Sequence, residues 1–244
     1  MVSNPNAEAG VNTATFRWQA SLAAGLAVLG LAAAVLLVRP HLMPSASGTT
    51  SGAIPAPIVD EPAGRPNPET AVLAGGCFWG VQGVFQHVKG VAGAESGYAG
   101  GDAATADYET VSTGTTGHAE SVRITYNPTQ VTYGQLLRIF FAVVQDPTEL
   151  NRQGPDVGTQ YRSVIFAQDE TQRNIADAYI AQLNQAGAFS APIVTNVSPA
   201  TQFFPAEAYH QDFLNLHPDN PYIASYDLPK LDALRSTFPD LYRD

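Results

Sequence analysis

The chain has 244 residues, 45% of them hydrophobic, a length and composition that allow one domain with extensions or at most two. Charged residues make up only 14% and the net charge is −10, which excludes the basic surface that nucleic-acid binding needs. A single cysteine, Cys77, excludes any internal disulfide, and the scattered histidines His41, His87, His118, His210 and His217 show no metal-ligand spacing, so no bound metal is expected.

In chain order, residues 1–19 form a short polar tail. Ala20 to Val38, "ASLAAGLAVLGLAAAVLLV", carries no charge and is long enough to cross a bilayer as a helix. Arg17 and Arg39 flank it with nearly balanced charge, so orientation is poorly set. Two readings compete: an uncleaved membrane anchor, or a cleaved signal with Ser45 to Ser47 as a weak processing site. Either places the remaining chain at a membrane or secreted, with the catalytic domain expected outside the cytoplasm and a cytoplasmic-facing arrangement left open. Residues 39–68, rich in Pro, Gly, Ser and Ala from Pro44 onward, read as a flexible tether. The folded domain is expected over residues 69–244, as a monomer.

Within that domain "TAVLAGG" (Thr70 to Gly76) reads as a short buried strand running into "CFWGVQGVFQHV". There Phe78, Val81, Phe85 and Val88 recur at helical spacing, with Trp79 off the stripe beside Gln82, Gly83 and Gln86. "HAESVRITY" (His118 to Tyr126) alternates as a strand. Thr132 and Gln135 spell a capping box ahead of a helix running to Val144. "RSVIFAQ" is a strand, Asp169 to Ala186 a helix stopped by Gly187, and "APIVTNVS" a strand. A helix is expected from Pro205 to about Leu216, and the tail from Pro218 should wrap the surface. The mixture of elements indicates an α+β domain, helices packed on a mostly antiparallel or mixed sheet.

Two residues carry chemical information. Cys77 stands at a strand-to-helix junction, where unpaired amides and the helix dipole favour a thiolate, and Gly75 and Gly76 leave room for a substrate to approach the sulfur. The plainer reading is a small cysteine used as core filler. Glu120 shares a strand face with Val122 and Ile124; a carboxyl on an apolar face loses hydration and holds its proton, ready to donate it. The plainer reading is a strand-end glutamate turned to solvent. Tyr108 in a Gly/Thr-rich loop, and Asp156 and Tyr161 in a loop feeding a strand, add neutral donors and a carboxylate.

"GCFWG" (Gly76 to Gly80), "GYAGG" (Gly97 to Gly101), "TTGHAE" (Thr115 to Glu120), "GPDVGTQYRS" (Gly154 to Ser163) and "FFPAEAYHQDFL" (Phe203 to Leu214) occur in that order. The ordered set closely resembles the peptide methionine sulfoxide reductase A family over about residues 69–240. The resemblance implies a two-layer α/β sandwich with a ferredoxin-like core. It implies an oxidoreductase that repairs oxidised proteins by reducing methionine S-sulfoxide, free or in proteins, through a sulfenic acid at the cysteine. By the same resemblance Cys77 matches the nucleophile, Glu120 the acid that protonates the sulfoxide oxygen, and Tyr108 and Tyr161 the phenols that bind that oxygen. Asp156 matches a supporting polar residue, and Phe78 and Trp79 the walls around the substrate methyl group. Gln82, Ser112 and Gln145 depart from the usual glutamate, cysteine and histidine. No bound cofactor is expected; no resolving cysteine exists, so recycling falls to an external thiol: thioredoxin-like, glutaredoxin-like or small.

Two rival readings remain at this point. A membrane-anchored cysteine hydrolase or acyltransferase would pair Cys77 with His118 and Asp156. A non-catalytic binder would recognise oxidised methionine without turning it over.

Overall fold

The computed structural model describes residues 54–62 and 68–244. Its frame is built from β1 (Glu69–Ala74), α1 (Phe78–Gln86), β2 (Val91–Ala99), the single-turn α2 (Tyr108–Val111), β3 (Ala119–Tyr126) and α3 (Tyr133–Ile139), which widens into a π-type turn over Phe140–Val144. A two-stranded ladder follows, β4 (Arg152–Gln153) with β5 (Asp156–Val157). Then come β6 (Val164–Ala167), α4 (Glu170–Gln185), β7 (Asn196–Pro199), β8 (Phe203–Pro205), α5 (Phe213–Leu216) and α6 (Leu228–Thr237).

The main sheet runs β7-β6-β1-β3-β2-β8, antiparallel except for the parallel β6–β7 pair. The succession β1-α1-β2-β3-α3-β6 with spatial order β6-β1-β3-β2 is the split βαβ arrangement of a ferredoxin-like core. The fold is therefore α+β, with a mixed sheet.

β1 occupies the centre because Ala71 to Ala74 are buried on both faces. One face gives Leu73, Val122, Ile124 and Ile165 to the main core, where Phe78, Val81, Phe85 and Val88 meet them along the expected helical stripe. Each such large side chain gains about 1.5–3 kcal/mol on full burial. The other face is a small cluster of Val72, Ala74, Ala99, Ala119, Val164 and Phe166, closed by Phe203. The capping box at Thr132 and Gln135 is present.

Some elements differ from the sequence reading. β2 was not expected, because "VAGAESGYA" has neither alternation nor β-branched density beyond Val91. Its small residues have a reason: a Cβ on Gly97 would stand 2.3 Å from the Phe204 carbonyl oxygen of β8. The helix expected from Pro205 to Leu216 is broken into β8, one turn at Ala208–His210 and α5. Gln211 interrupts it by binding the Ser96 backbone, accepting from its N–H at 3.0 Å and donating to its carbonyl at 2.9 Å, and Asp212 turns left-handed at φ 56°. Of the strand expected over Ala191 to Ser198, only the part within β7 (Asn196–Pro199) is in the sheet. The tail holds a helix of its own, α6, whose Leu234 is fully buried.

Residues 54–62, assigned to a flexible tether, are instead docked on the domain. Ile54 is buried, and its carbonyl accepts from Arg138 Nε at 2.9 Å. Tyr179 Oη donates to the Pro55 carbonyl at 2.7 Å, and Gln182 exchanges bonds with Ala56 and Ile58. Asp60 and Glu61 accept from the Gly134 and Tyr133 amides, each at 2.8 Å, satisfying helix-start donors that the capping box leaves over. The apolar run Ala20–Val38 lies outside the described residues; among the described residues no helix is long and apolar enough to cross a membrane.

Candidate active site

Cys77 is the N-cap of α1, leaving β1 through Gly75 and Gly76. The glycines do not clear a path for substrate, as the sequence suggested; they make room for the protein itself. A Cβ on Gly75 would meet the Phe140 ring at 2.8 Å, and one on Gly76, at φ +93°, would meet Gln153 Cβ at 2.6 Å. The thiol is 9% exposed. Burial pushes its pKa well up, Glu120 and Asp227 push the same way, and the Trp79 N–H and the Lys230 ammonium oppose. The Trp79 amide stays short of a capping hydrogen bond, so the helix start softens but does not reverse the effect of burial.

Glu120 is also buried, 3% exposed. It stands on the β3 face that carries Val122 and Ile124 into the core, as its alternation implied. The Phe78 amide, one residue past the cysteine, donates to Glu120 Oε2 at 3.0 Å. Burial raises the Glu120 pKa to about 8; the Phe78 N–H opposes, while Asp156 and Asp227 add negative charge. Near neutral pH this carboxyl is therefore mostly protonated. A carboxyl and a buried thiol share one helix start; only the ionised carboxyl opposes a thiolate, and near neutral pH it is the minor form.

Phe78 is in the core, its ring 5.8 Å from Tyr98 and 5.1 Å from His210. Trp79 lies off the stripe, as spacing suggested, but it packs: its ring stacks on Phe213 at 3.9 Å and 12°, and Nε1 donates to His210 Nδ1 at 3.1 Å. Tyr108 is the first residue of α2 rather than a loop residue; Asp107 caps that turn, and Glu207 accepts the Tyr108 amide at 2.9 Å. Burial raises the Tyr108 and Tyr161 phenols, and both are pushed further by Glu120 and Cys77, so the four groups converge. The phenols stay protonated and able to donate.

Asp156, on β5, accepts a short hydrogen bond from Tyr222 Oη. Gln82 is buried and ties α1 to the chain ahead of α5, donating to Gln211 Oε1 at 3.0 Å and accepting from the Asp212 amide at 2.9 Å. Ser112 Oγ donates to the Tyr108 carbonyl at 2.6 Å, and Gln145 reaches toward Thr195. His118 does not serve Cys77: Nδ1 accepts from the Gly101 amide at 3.2 Å and Nε2 bonds the Asp102 carbonyl at 3.0 Å. With both ring nitrogens committed, the hydrolase arrangement has no base. Sequence reasoning missed His210, Tyr222, Asp227 and Lys230, all of which the last segments of the chain bring against α1. Among the described residues no group of three or more His, Cys, Asp or Glu is placed to hold a metal ion.

Residues 69–241 match the family model described as peptide methionine sulfoxide reductase. The chain is 61% identical over 186 residues to peptide methionine sulfoxide reductase MsrA 2 of Mesorhizobium japonicum, covering 76% of this chain and 95% of that one. It is 48% identical over 217 residues to the protein of the same name from Synechocystis, covering 87% and 97%. Among solved structures, methionine sulfoxide reductase A of Corynebacterium diphtheriae superposes with a TM-score of 0.54 at 34% identity, covering 67% of this chain and 86% of that one. The reduced form of Mxr1 from Saccharomyces cerevisiae gives 0.57 at 31% identity, covering 65% and 91%.

Proposed function

Because the chain belongs to the peptide methionine sulfoxide reductase A family, we propose that Cys77 and Glu120 carry out the reaction that defines it. The protein is a peptide-methionine (S)-S-oxide reductase, an oxidoreductase that uses an external thiol to return methionine sulfoxide to methionine. Cys77 Sγ attacks the sulfoxide sulfur. Glu120 gives its proton to the sulfoxide oxygen, and the Tyr108 and Tyr161 hydroxyls hold that oxygen. The S-methyl group rests against Phe78 and Trp79, and Asp156 orders the polar rim through Tyr222. The protonated oxygen passes to Sγ as hydroxyl while the Sγ–methionine sulfur bond breaks, so methionine leaves reduced and Cys77 is left oxidised as the sulfenic acid. Two external thiols then return it to the thiol through a mixed disulfide, releasing water and a disulfide.

The observation that supports this reading is the Phe78 N–H to Glu120 bond at 3.0 Å, which holds next to Cys77 a carboxyl that burial keeps mostly protonated. It is tested by single-turnover reduction with Glu120→Gln, which keeps the shape and loses the transferable proton. General acid catalysis contributes about 100- to 10,000-fold, and a loss below about threefold would place the proton source elsewhere.

Oxidised methionine in proteins and as the free amino acid is the proposed substrate class. We also propose that Ala20–Val38 holds the domain at a membrane facing away from the cytoplasm, supported by the uncharged run alone. Protease added to intact cells, or to spheroplasts, should clip the domain; full protection in a soluble cytosolic fraction would contradict it.

A further inference from the structure

The approach to Cys77 extends past the polar rim of Asp156 and Tyr222 toward Lys230. A cavity of ≈ 230 Å³ opens on Cys77, walled by Gln145, Gln153, Asp156, Tyr222, Tyr226 and Lys230 among others. Phe78, Trp79, Tyr108, Tyr161 and Glu120, the groups assigned to contact the sulfoxide, are not among its walls, while Asp156 and Tyr222 of the polar rim are shared with it. Lys230 is the cation in the lining, where Asp146 and Asp156 are the other charged residues. Its Nζ donates to Asp227 Oδ1 at 3.0 Å. The Asp227 side chain is wholly buried, and its Oδ2 has no hydrogen-bond partner. The first turn of α1 is kept bare for this pair: a Cβ on Gly80 would stand 2.1 Å from Asp227 Oδ1 and 2.8 Å from Lys230 Nζ.

A wholly buried carboxyl with an unsatisfied oxygen, paired to a partly exposed ammonium, is a poor packing device, since apolar residues of similar volume usually do as well or better. Here it holds an ammonium in the wall of the cavity that opens on Cys77, close enough to act on the thiol's charge. The chain has no second cysteine, so every turnover must admit an outside thiol to Cys77. A thiolate entering this cavity meets acidic walls and, overall, a chain of net charge −10; Lys230 is where it meets attraction.

Building on the proposed reaction, we propose that the cavity is the entry site for the reductant thiol, with Lys230 binding its sulfur anion and Asp227 positioning Lys230. The thiol gives up its proton on binding. Its sulfur attacks Sγ of the Cys77 sulfenic acid, the S–S bond forms, the S–O bond breaks, and hydroxide leaves with that proton as water. The incoming thiol is oxidised and the cysteine reduced to the mixed disulfide. A second thiolate then attacks the reductant's sulfur and frees Cys77. The shared ligand chemistry is a cysteine-type thiolate, whether on a small molecule or on a protein.

The test separates the two half-reactions. Enzyme is loaded with one equivalent of methionine sulfoxide, methionine is counted, and the oxidised enzyme is mixed with glutathione in one arm and reduced thioredoxin in the other. Return of the Cys77 thiol is followed by mass. Losing one charge-assisted hydrogen bond should slow recycling by Lys230→Met about tenfold, with Lys230→Arg within about threefold of wild type. The double variant Asp227→Asn with Lys230→Met removes both charges, so its fold does not have to tolerate a lone buried carboxylate; it should stay slow. Slowing in the glutathione arm alone assigns the site to small thiols, and in the thioredoxin arm alone to protein thiols. Wild-type recycling in Lys230→Met, or recovery in the double variant, overturns the proposal. Absence of any methionine burst in wild type is a separate result that would overturn the parent reading.

Discussion

The two sides of Cys77 are built from different material. On one side stand Glu120 and the Phe78 amide, a strand and a helix start locked together through the middle of the core. On the other stand Tyr222, Asp227 and Lys230, carried by the last segments of the chain and laid over α1 through polar contacts. Both sides bury a carboxyl near the sulfur, and burial raises both pKa values. Only Asp227 has a cation to pull it back. One carboxyl is thus kept neutral to give a proton, and the other is kept beside a charge to hold it in place. The difference teaches that burial alone does not define a carboxyl's role; its partner does.

The comparison breaks first at the cysteine both sides share. Cys77→Ser should abolish reduction outright, since a serine hydroxyl is a poor nucleophile near neutral pH, and residual turnover above background by methionine release would end the account. The next effect belongs to the Glu120 side and is legible in pH. At limiting sulfoxide the single-turnover rate should rise with pH while the Cys77 thiolate grows, then level above about 8, where Glu120 loses its proton as fast as the thiolate gains. Residual activity in Glu120→Gln should show no break near about 8. The same shift acts on stability. Between the ordinary carboxyl range and about 8 the folded chain keeps a proton that the unfolded chain has lost, so this group costs stability as pH rises through that window. Urea midpoints at pH values on either side of the window should show a shallower fall for Glu120→Gln than for wild type.

A smaller effect sharpens the contrast in oxygen binding. Tyr108→Phe and Tyr161→Phe should each cost about tenfold in the sulfoxide half-reaction, the worth of one hydrogen-bond donor, and leave recycling by thiol nearly untouched. Equal losses in both half-reactions would merge the two sides into one. Least of all for activity should be the docked segment ahead of β1. A chain beginning at Pro68 loses the Asp60 and Glu61 contacts to the start of α3, about 1 kcal/mol each, which thermal unfolding should detect while turnover at low temperature stays near wild type.

The same contrast runs through what could be read from the chain. Cys77, Phe78 and Trp79 are consecutive, and strand alternation alone put Glu120 on the buried face. The ferredoxin-like core followed from a resemblance, and the α1 stripe and the α3 capping box from spacing. The second side was hidden because its contacts join distant parts of the chain. Asp156 and Tyr222 are separated by 66 residues. The tail from Pro218 has no periodicity strong enough to mark α6, and no pattern shows that Gly80 is bare so that Asp227 can lie against it. Ile54 to Pro62 look like linker by composition, yet their backbone carbonyls and two carboxylates find partners on α3 and α4 that only the fold assembles.

The most direct measurement of the central claim is the mass of Cys77 after excess methionine sulfoxide and no thiol. The account expects one methionine released per enzyme, a sulfenic acid at Cys77 that a dimedone trap captures in equal amount, and then arrest until thiol is added. Methionine released beyond one equivalent without any reductant, or released while Cys77 stays unmodified, would contradict it.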